Sequence, residues 1–467
     1  MLKLSAEEMR TLGYRVVDLL VDHFETISSK RVTNHLSRPE LEARLREPIP
    51  KKGKSTEVVL QEFREKITDA MMHPDHPRFF AFIPSPSNFV SAMADVLASG
   101  LNIFAGTWLE ASGPAEVELL TIDWLRTACG LPEQAGGLFV SGGSVANITA
   151  IATARNIHLQ ENFEKAIVYC SDQTHSSIER GVRVLGFQKD QLRKIVSDDN
   201  FRLDVATLAK AVQDDRKAAK RPFCVVANAG TTNTGAIDPI PELAKFCKEE
   251  NLWLHVDGAY GAAAVLCERG KQLMKGIEDV HSLSMDPHKL LFQPFEIGCV
   301  LVRDRNWLKQ TFQILPEYMK DVESGAEETN FCDYGIQLTR SFRALKLWMS
   351  LKVFGADAFA VAIEHAFAIA EFAESEISAM KDWEVVTAAQ MAIITFRFAP
   401  RGIEDTNRVN QEIARQMTKD GFALVLTTQI RGKTVLRLCP INPRTTKEDI
   451  RNTLAKLDRI ATSLVCR

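Results

Sequence analysis

The middle of this chain alternates. Short apolar runs at residues 137–140, 166–170, 223–227, 252–256 and 298–302 each end in small or polar residues. Stretches with helical periodicity separate them, as at 145–158 and 243–250. Fully apolar runs joined by amphipathic crossovers predict strands buried on both faces, in a mostly parallel sheet with helices packed on each side. In such α/β folds, ligands bind at the carboxyl ends of the strands. The pattern excludes coiled-coil, collagen-like and disordered chains. With 467 residues, 45% hydrophobic and 25% charged, the chain can bury a large core.

The flanks read differently. Ser5 and Glu8 form an S-x-x-E capping box, followed by Met9, Leu12, Val16, Leu19, Leu20, Phe24 and Ile27 on one helical face. A polar segment follows over 38–55, then a helix carrying Val58, Leu60, Phe63 and Ile67. Toward the other end, a helix over 356–380, a strand over 392–398, a helix over 406–420, a hairpin of 423–428 with 435–439 and a last helix near Thr446 make a small α+β domain. The expected division is a helical arm at 1–86, a large α/β domain at 87–354 and a small domain at 355–467. Residues 79–109 hold one charge, Asp95, but also Pro84 and Pro86, so a buried core segment is expected there rather than a membrane span.

Composition narrows the function. A net charge of −3, from 57 basic and 60 acidic residues, disfavours a protein that wraps nucleic acid or anchors electrostatically to a membrane. The nine cysteines are scattered without a C-x-x-C pair, which argues against a disulfide framework and favours the cytoplasm. The start, Met-Leu-Lys-Leu-Ser-Ala-Glu-Glu, does not read as a signal peptide.

Four motifs fall at or near strand ends. Ser141-Gly142-Gly143-Ser144 opens a helix and could cradle a phosphate, or be a plain β–α turn. Asp257, in His255-Val256-Asp257-Gly258-Ala259-Tyr260, ends an apolar strand. Buried there it needs a cation, either a pyridinium nitrogen or a metal, and only His255 is adjacent as a further ligand. Lys289, in Ser284-Met285-Asp286-Pro287-His288-Lys289, suits a Schiff base, although one lysine alone reads as a surface residue. His175, in Ser171-Asp172-Gln173-Thr174-His175, could stack on a flat ring or cap a helix. A metal site on His73 and His76 has no third ligand in its motif. Phosphate turn, stacking imidazole, acidic strand end and lysine together describe a site for pyridoxal 5′-phosphate (PLP).

These motifs, with His76-Pro77-Arg78-Phe79-Phe80-Ala81-Phe82, Gly230-Thr231-Thr232 and Leu338-Thr339-Arg340-Ser341-Phe342-Arg343-Ala344-Leu345-Lys346-Leu347-Trp348, give a chain that resembles the group II PLP-dependent decarboxylases, the family of aromatic L-amino acid decarboxylase. The resemblance implies the fold-type I PLP-dependent transferase architecture and a homodimer with its active site at the subunit interface, the N-terminal arm packing across it. It implies that Lys289 binds PLP covalently, Asp257 pairs with the ring nitrogen, His175 and Ala259 lie on opposite ring faces, and Thr232 sits near the ring. Gly143, Ser144, Asp286 and His288 would surround the phosphate, Asp286 standing where relatives often have asparagine. Phe82, Phe104 and Trp108 would line the substrate pocket, and no metal is implied. The implied reaction is decarboxylation of an amino acid, most simply an aromatic one, to its amine. Relatives carry a loop tyrosine that protonates Cα. Counting back without gaps from Arg340 puts Phe331 there, with Tyr334 as a substitute donor. A phenylalanine at that position would favour oxidative deamination to an aldehyde. An acidic substrate is a further alternative, with Arg78 as its candidate partner.

Overall fold

The structure, a computed structural model, describes residues 3–314 and 328–465. Its contacts form two compact units. One holds Met1–Pro84, Glu371–Ala388 and Thr395–Arg467; the other holds Ser85–Ala370 and Ala389–Ile394.

The larger unit is built on a seven-stranded sheet: β1 (Gly136–Val140), β2 (Ala166–Ser171), β3 (Leu192–Ile195), β4 (Arg221–Asn228), β5 (Trp253–Asp257), β6 (Ser282–Met285) and β7 (Gly298–Val302). The order is β1-β7-β6-β5-β4-β2-β3. All neighbours are parallel except β7, which runs antiparallel to both β1 and β6. The predicted mostly parallel sheet is present, and the expected strands lie within one or two residues of those observed. β3 and β6 were not visible as strands. β3 is a short edge strand with exposed Arg193 and Lys194, and β6 reads Ser-Leu-Ser-Met, a composition typical of a turn. Gly137 is required in β1, because a Cβ there would lie 1.8 Å from the Val300 carbonyl oxygen of β7.

A buried ion pair ties this unit together. The Arg340 guanidinium donates to both carboxylate oxygens of Glu118, at 2.5 and 3.2 Å, and to the carbonyls of Ala105 and Phe139, each at 2.8 Å. Glu118 also accepts from the Phe139 backbone N–H at 2.9 Å. The pair therefore joins the helix Trp108–Ala128 to β1 and to the segment around Ala105. Lys346, from the same motif, donates to Asp95 at 3.2 Å and to the Glu296 carbonyl at 3.0 Å.

In the smaller unit the capping box at Ser5 and Glu8 opens the helix Ala6–Thr26 as predicted. The remaining strands, β8 (Trp383–Gln390), β9 (Ile393–Phe398), β10 (Leu426–Ile430) and β11 (Lys433–Leu438), form a sheet in the order β10-β11-β9-β8. Residues 389–394, at the β8–β9 turn, are assigned to the larger unit. The N-terminal segment and the C-terminal residues share this smaller unit, where the sequence suggested separate bodies. The reason is long-range pairing that periodicity cannot reveal: Val32 N–H donates to the Gly421 carbonyl, Phe80 N–H to Leu424 and Cys439 N–H to Phe80.

Residues 79–109 are not uniformly buried, contrary to expectation. Phe79, Phe80 and Ala81 are buried, but Leu101 and Leu109 are 71% and 73% exposed, and Val96 and Leu97 are also open. Among the described residues, no single helix is long and apolar enough to cross a membrane.

Replacing Arg340 with methionine would leave the Glu118 charge buried and unpaired, and should cost about 3–5 kcal/mol in chemical denaturation. A loss below about 1 kcal/mol would show that the pair is dispensable. Burial also pushes the His76 and His281 pKa values down to about 4. An unfolded histidine titrates near 6.5, so between these values the unfolded chain binds protons that the folded chain refuses. Stability is therefore full above about pH 6.5 and falls as pH drops toward 4. The denaturation midpoint should decrease steadily from pH 7 to pH 5.

Candidate active site

Five strand ends converge on one cavity of about 330 Å³. β1 delivers Ser141, Gly142, Gly143 and Ser144, β2 delivers His175, β4 delivers Thr231 and Thr232, β5 delivers Asp257 and Ala259, and β6 delivers Asp286, His288 and Lys289. All nine residues that the sequence suggested for binding PLP line this cavity. They meet because β1, β2, β4, β5 and β6 point the same way, so their carboxyl ends share one edge of the sheet.

Asp257 is almost buried, yet it is well supplied with donors. Oδ2 accepts from Asn147 Nδ2 at 3.0 Å. Oδ1 accepts from the Ser284 hydroxyl and the Ala259 N–H, both at 3.2 Å. Three donors thus converge on one carboxylate, leaving few of its lone pairs unused. Asn147, on the helix Gly143–Leu159, and Ser284, on β6, were not singled out in the sequence. An asparagine one helical turn after a phosphate-type turn was the available signal.

The helix Gly143–Leu159 starts at the glycine turn, so its amino end faces the cavity. A side chain at Gly143 would lie 2.8 Å from Ala259 Cβ and 2.9 Å from Asp286 Oδ2. Only glycine leaves this corner open to an anion.

Lys289 Nζ lies 2.9 Å from Asp286 Oδ2. The other carboxylate oxygen of Asp286 is buried without a hydrogen-bond partner, and His288 Nε2 lies 3.5 Å from Oδ2. Asp286 thus holds the lysine amine as well as bordering the glycine turn. His288 Nδ1 accepts from the Ile297 N–H at 3.3 Å, and burial lowers the pKa of the ring. His175 caps the helix Ser176–Val184, its Nδ1 accepting from the Ser177 N–H at 3.2 Å. Desolvation lowers its pKa against the opposing pull of Asp257.

A lysine, a donor-held carboxylate, a flat imidazole and a glycine-lined helix terminus in one cavity suit an aldehyde-bearing pyridine phosphate. Residues 39–399 match the family model of the pyridoxal-dependent decarboxylase conserved domain. The chain belongs to the pyridoxal-dependent decarboxylase family. It is 47% identical to an aromatic-L-amino-acid decarboxylase of Bacillus atrophaeus, over 98% of this chain and 97% of that one. It is 30% identical to a phenylacetaldehyde synthase of Arabidopsis thaliana, over 95% and 94% respectively. Its fold superposes with a TM-score of 0.94 on the crystal structure of Oryza sativa TDC with PLP and tryptamine, at 28% identity and 99% coverage of both chains. This decarboxylase is a PLP enzyme acting on an amino acid.

The remaining expected residues lie elsewhere. Phe82 is in the smaller unit, exposed, with a φ of 52°. Phe104 packs on Gly106, and Trp108 begins a helix with its N–H donating to Asn330 Oδ1 at 2.8 Å. None of the three lines the cavity of this decarboxylase. Phe331 is 1% exposed, with its ring over the Arg340 guanidinium at 4.9 Å, and Tyr334 packs against it with ring centroids 5.9 Å apart. Neither is among the cavity residues. Phe331 covers the buried ion pair and is not the free loop residue that gapless counting suggested.

Borohydride reduction of the PLP-loaded protein should fix the cofactor to Lys289, read as a pyridoxyl-modified peptide by mass. Lys289→Ala should abolish the adduct while leaving the fold intact by circular dichroism. An adduct on another lysine would move the site.

Proposed function

We propose that this chain decarboxylates an aromatic L-amino acid to its amine. The carrying observation is the cavity that brings Lys289 and the donor-held Asp257 together. The aromatic assignment rests on the relative from Bacillus atrophaeus, 47% identical over nearly the full length. In this reading PLP, when bound, supplies the electron sink for the pair released from the Cα–carboxylate bond. Lys289 would hold the cofactor through its amine, and Asp257 would pair with the ring nitrogen. The glycine turn with Ser144 and His288 would hold the phosphate. Thr232, Ala259 and His175 would border the ring, and His175 would face the substrate.

Burial of Phe331 removes the reason for assigning an aldehyde product. The tyrosines of this chain are Tyr14, Tyr169, Tyr260, Tyr318 and Tyr334. Tyr318, between Lys289 and the Arg340 motif, lies outside the described residues, and we assign it the loop role of donating the Cα proton. Arg78, the candidate partner for an acidic substrate, is engaged by Asp449 at 3.2 Å and by the Phe422 carbonyl at 2.8 Å within the smaller unit, which favours an uncharged side chain on the substrate.

The exposed face of Val96, Leu97, Leu101 and Leu109 supports a homodimer, since apolar surface of this kind marks protein contacts. In that assembly the N-terminal segment packs across the interface, and Phe82, Phe104 and Trp108 serve the neighbouring site. Nine scattered cysteines without a C-x-x-C pair suit a reducing cytoplasm.

Incubation with phenylalanine, tyrosine, tryptophan and dopa, with products identified by mass and oxygen recorded, should give amine without oxygen uptake. Tyr318→Phe should divert product to aldehyde with matching oxygen loss, whereas Phe331→Tyr should destabilise the protein without altering the product ratio. Aldehyde from the unaltered protein would overturn the assignment of Tyr318, and no product from any aromatic substrate would overturn the substrate class.

A further inference from the structure

From the cavity wall a buried chain of polar groups runs back to Trp253, and its inner members have no part in the chemistry proposed above. Trp253 Nε1 lies 2.8 Å from Ser282 Oγ, and Ser282 Oγ lies 2.9 Å from His255 Nδ1. His255 Nε2 lies 3.0 Å from Asn147 Oδ1. The Asn147 amide nitrogen then reaches Asp257 Oδ2 at 3.0 Å and Ser177 Oγ at 3.1 Å, and Ser177 Oγ lies 3.0 Å from His175 Nδ1. Trp253, Ser282, His255 and Asn147 are each at most 1% exposed.

The direction of every proton in this chain follows from its two ends. An indole nitrogen can only donate, so Trp253 gives its proton to Ser282 Oγ. An ionised carboxylate can only accept, so Asn147 must turn its NH₂ toward Asp257 and its carbonyl toward His255. His255 Nε2 therefore carries a proton. Burial pushes the His255 pKa down to about 4, so the ring is neutral at working pH and Nδ1 is the acceptor. The Ser282 hydroxyl supplies that bond, which is consistent with its acceptance from Trp253. At the branch, Ser177 Oγ accepts from Asn147, leaving its own hydrogen for His175 Nδ1. The Ser177 backbone N–H also donates to this atom, at 3.2 Å. In neutral His175 the ring proton must then sit on Nε2.

We propose that His255 and Asn147 are positioning residues that hold Asp257 as an anion against the cofactor ring nitrogen and fix His175 as its Nε2–H tautomer. This rests on the pairing of Asp257 with the ring nitrogen proposed above. A reversed Asn147 amide would aim a carbonyl at the Asp257 carboxylate, and the His255 Nε2–H, donating to the Asn147 carbonyl, adds to what holds the amide the right way round. The indole at the back of the sheet and the carboxylate at the cavity thus fit one consistent set of hydrogen-bond directions, which reaches both groups that flank the cofactor.

The test compares binding of PLP with binding of its 1-deaza analogue, in which carbon replaces the ring nitrogen. The unaltered protein should prefer PLP. If it does not, the Asp257 pairing itself fails and the relay loses its purpose. His255→Leu should weaken PLP by roughly tenfold to a hundredfold, the scale of one buried unsatisfied polar group, while leaving the analogue's affinity nearly unchanged. His255→Gln, which can donate and accept along the same line, should restore part of the preference. Equal loss for both ligands would reduce His255 to a structural role. Because the leucine variant could fail to fold, ¹⁵N spectra of the unaltered holoenzyme provide a second measurement. They should show His255 and His175 each protonated at Nε2 and bare at Nδ1. A proton on Nδ1 of His255 would overturn the proposal.

Discussion

A carboxylate buried inside a protein needs donors aimed at it, and Asp257 organises the larger unit around that requirement. Its three donors come from different places: Asn147 on the helix after β1, Ser284 on β6, and the backbone of Ala259 just beyond β5. These groups converge only if β1, β5 and β6 end on one edge of the sheet with the helix Gly143–Leu159 packed behind it. The topology that lets the sheet bury its apolar residues is the same one that supplies the charge with partners.

Another set of buried charges in this unit serves stability. Arg340 and Glu118 are essentially inaccessible and bind each other, with further bonds to the backbone of Ala105 and Phe139. The motif from Leu338 to Trp348 marks the family as clearly as the lysine does, yet its charged residues bind β1, the Ala105 segment, Asp95 and Glu296 rather than the cavity. Phe331 belongs to this arrangement as the cover of the guanidinium. A recognisable motif therefore divides here into residues that carry out chemistry and residues that hold its frame.

The cavity residues were legible because strand-end positions leave a local trace: an apolar run, then a polar or glycine residue that the run itself does not explain. Asp257, His175 and the Gly142-Gly143 turn have that form, while Lys289 was legible through the Asp286-Pro287-His288-Lys289 motif. Asn147 and Ser284 lack it. Asparagine within a helix and serine within a short strand are ordinary residues, and only the carboxylate across the sheet edge makes them functional. Phe331 was read as a loop residue for a related reason. Counting residues back from Arg340 assumes a constant path, and a buried phenylalanine resembles an exposed one in sequence.

By itself the sequence determined the α/β class and the cofactor, because hydrophobic period and strand-end chemistry are local properties of the chain, and its motifs carried the resemblance to the family. Tertiary structure decided which residues share surroundings. It paired the segments around Val32 and Phe80 with residues near 421–439, left Leu101 and Leu109 exposed, buried Phe331 under a packed core, and set His255 behind Asn147. Each of these depends on contacts between residues far apart in the chain. Such contacts are selected by the burial of apolar surface and the pairing of buried polar groups over the whole fold, and local sequence does not encode them.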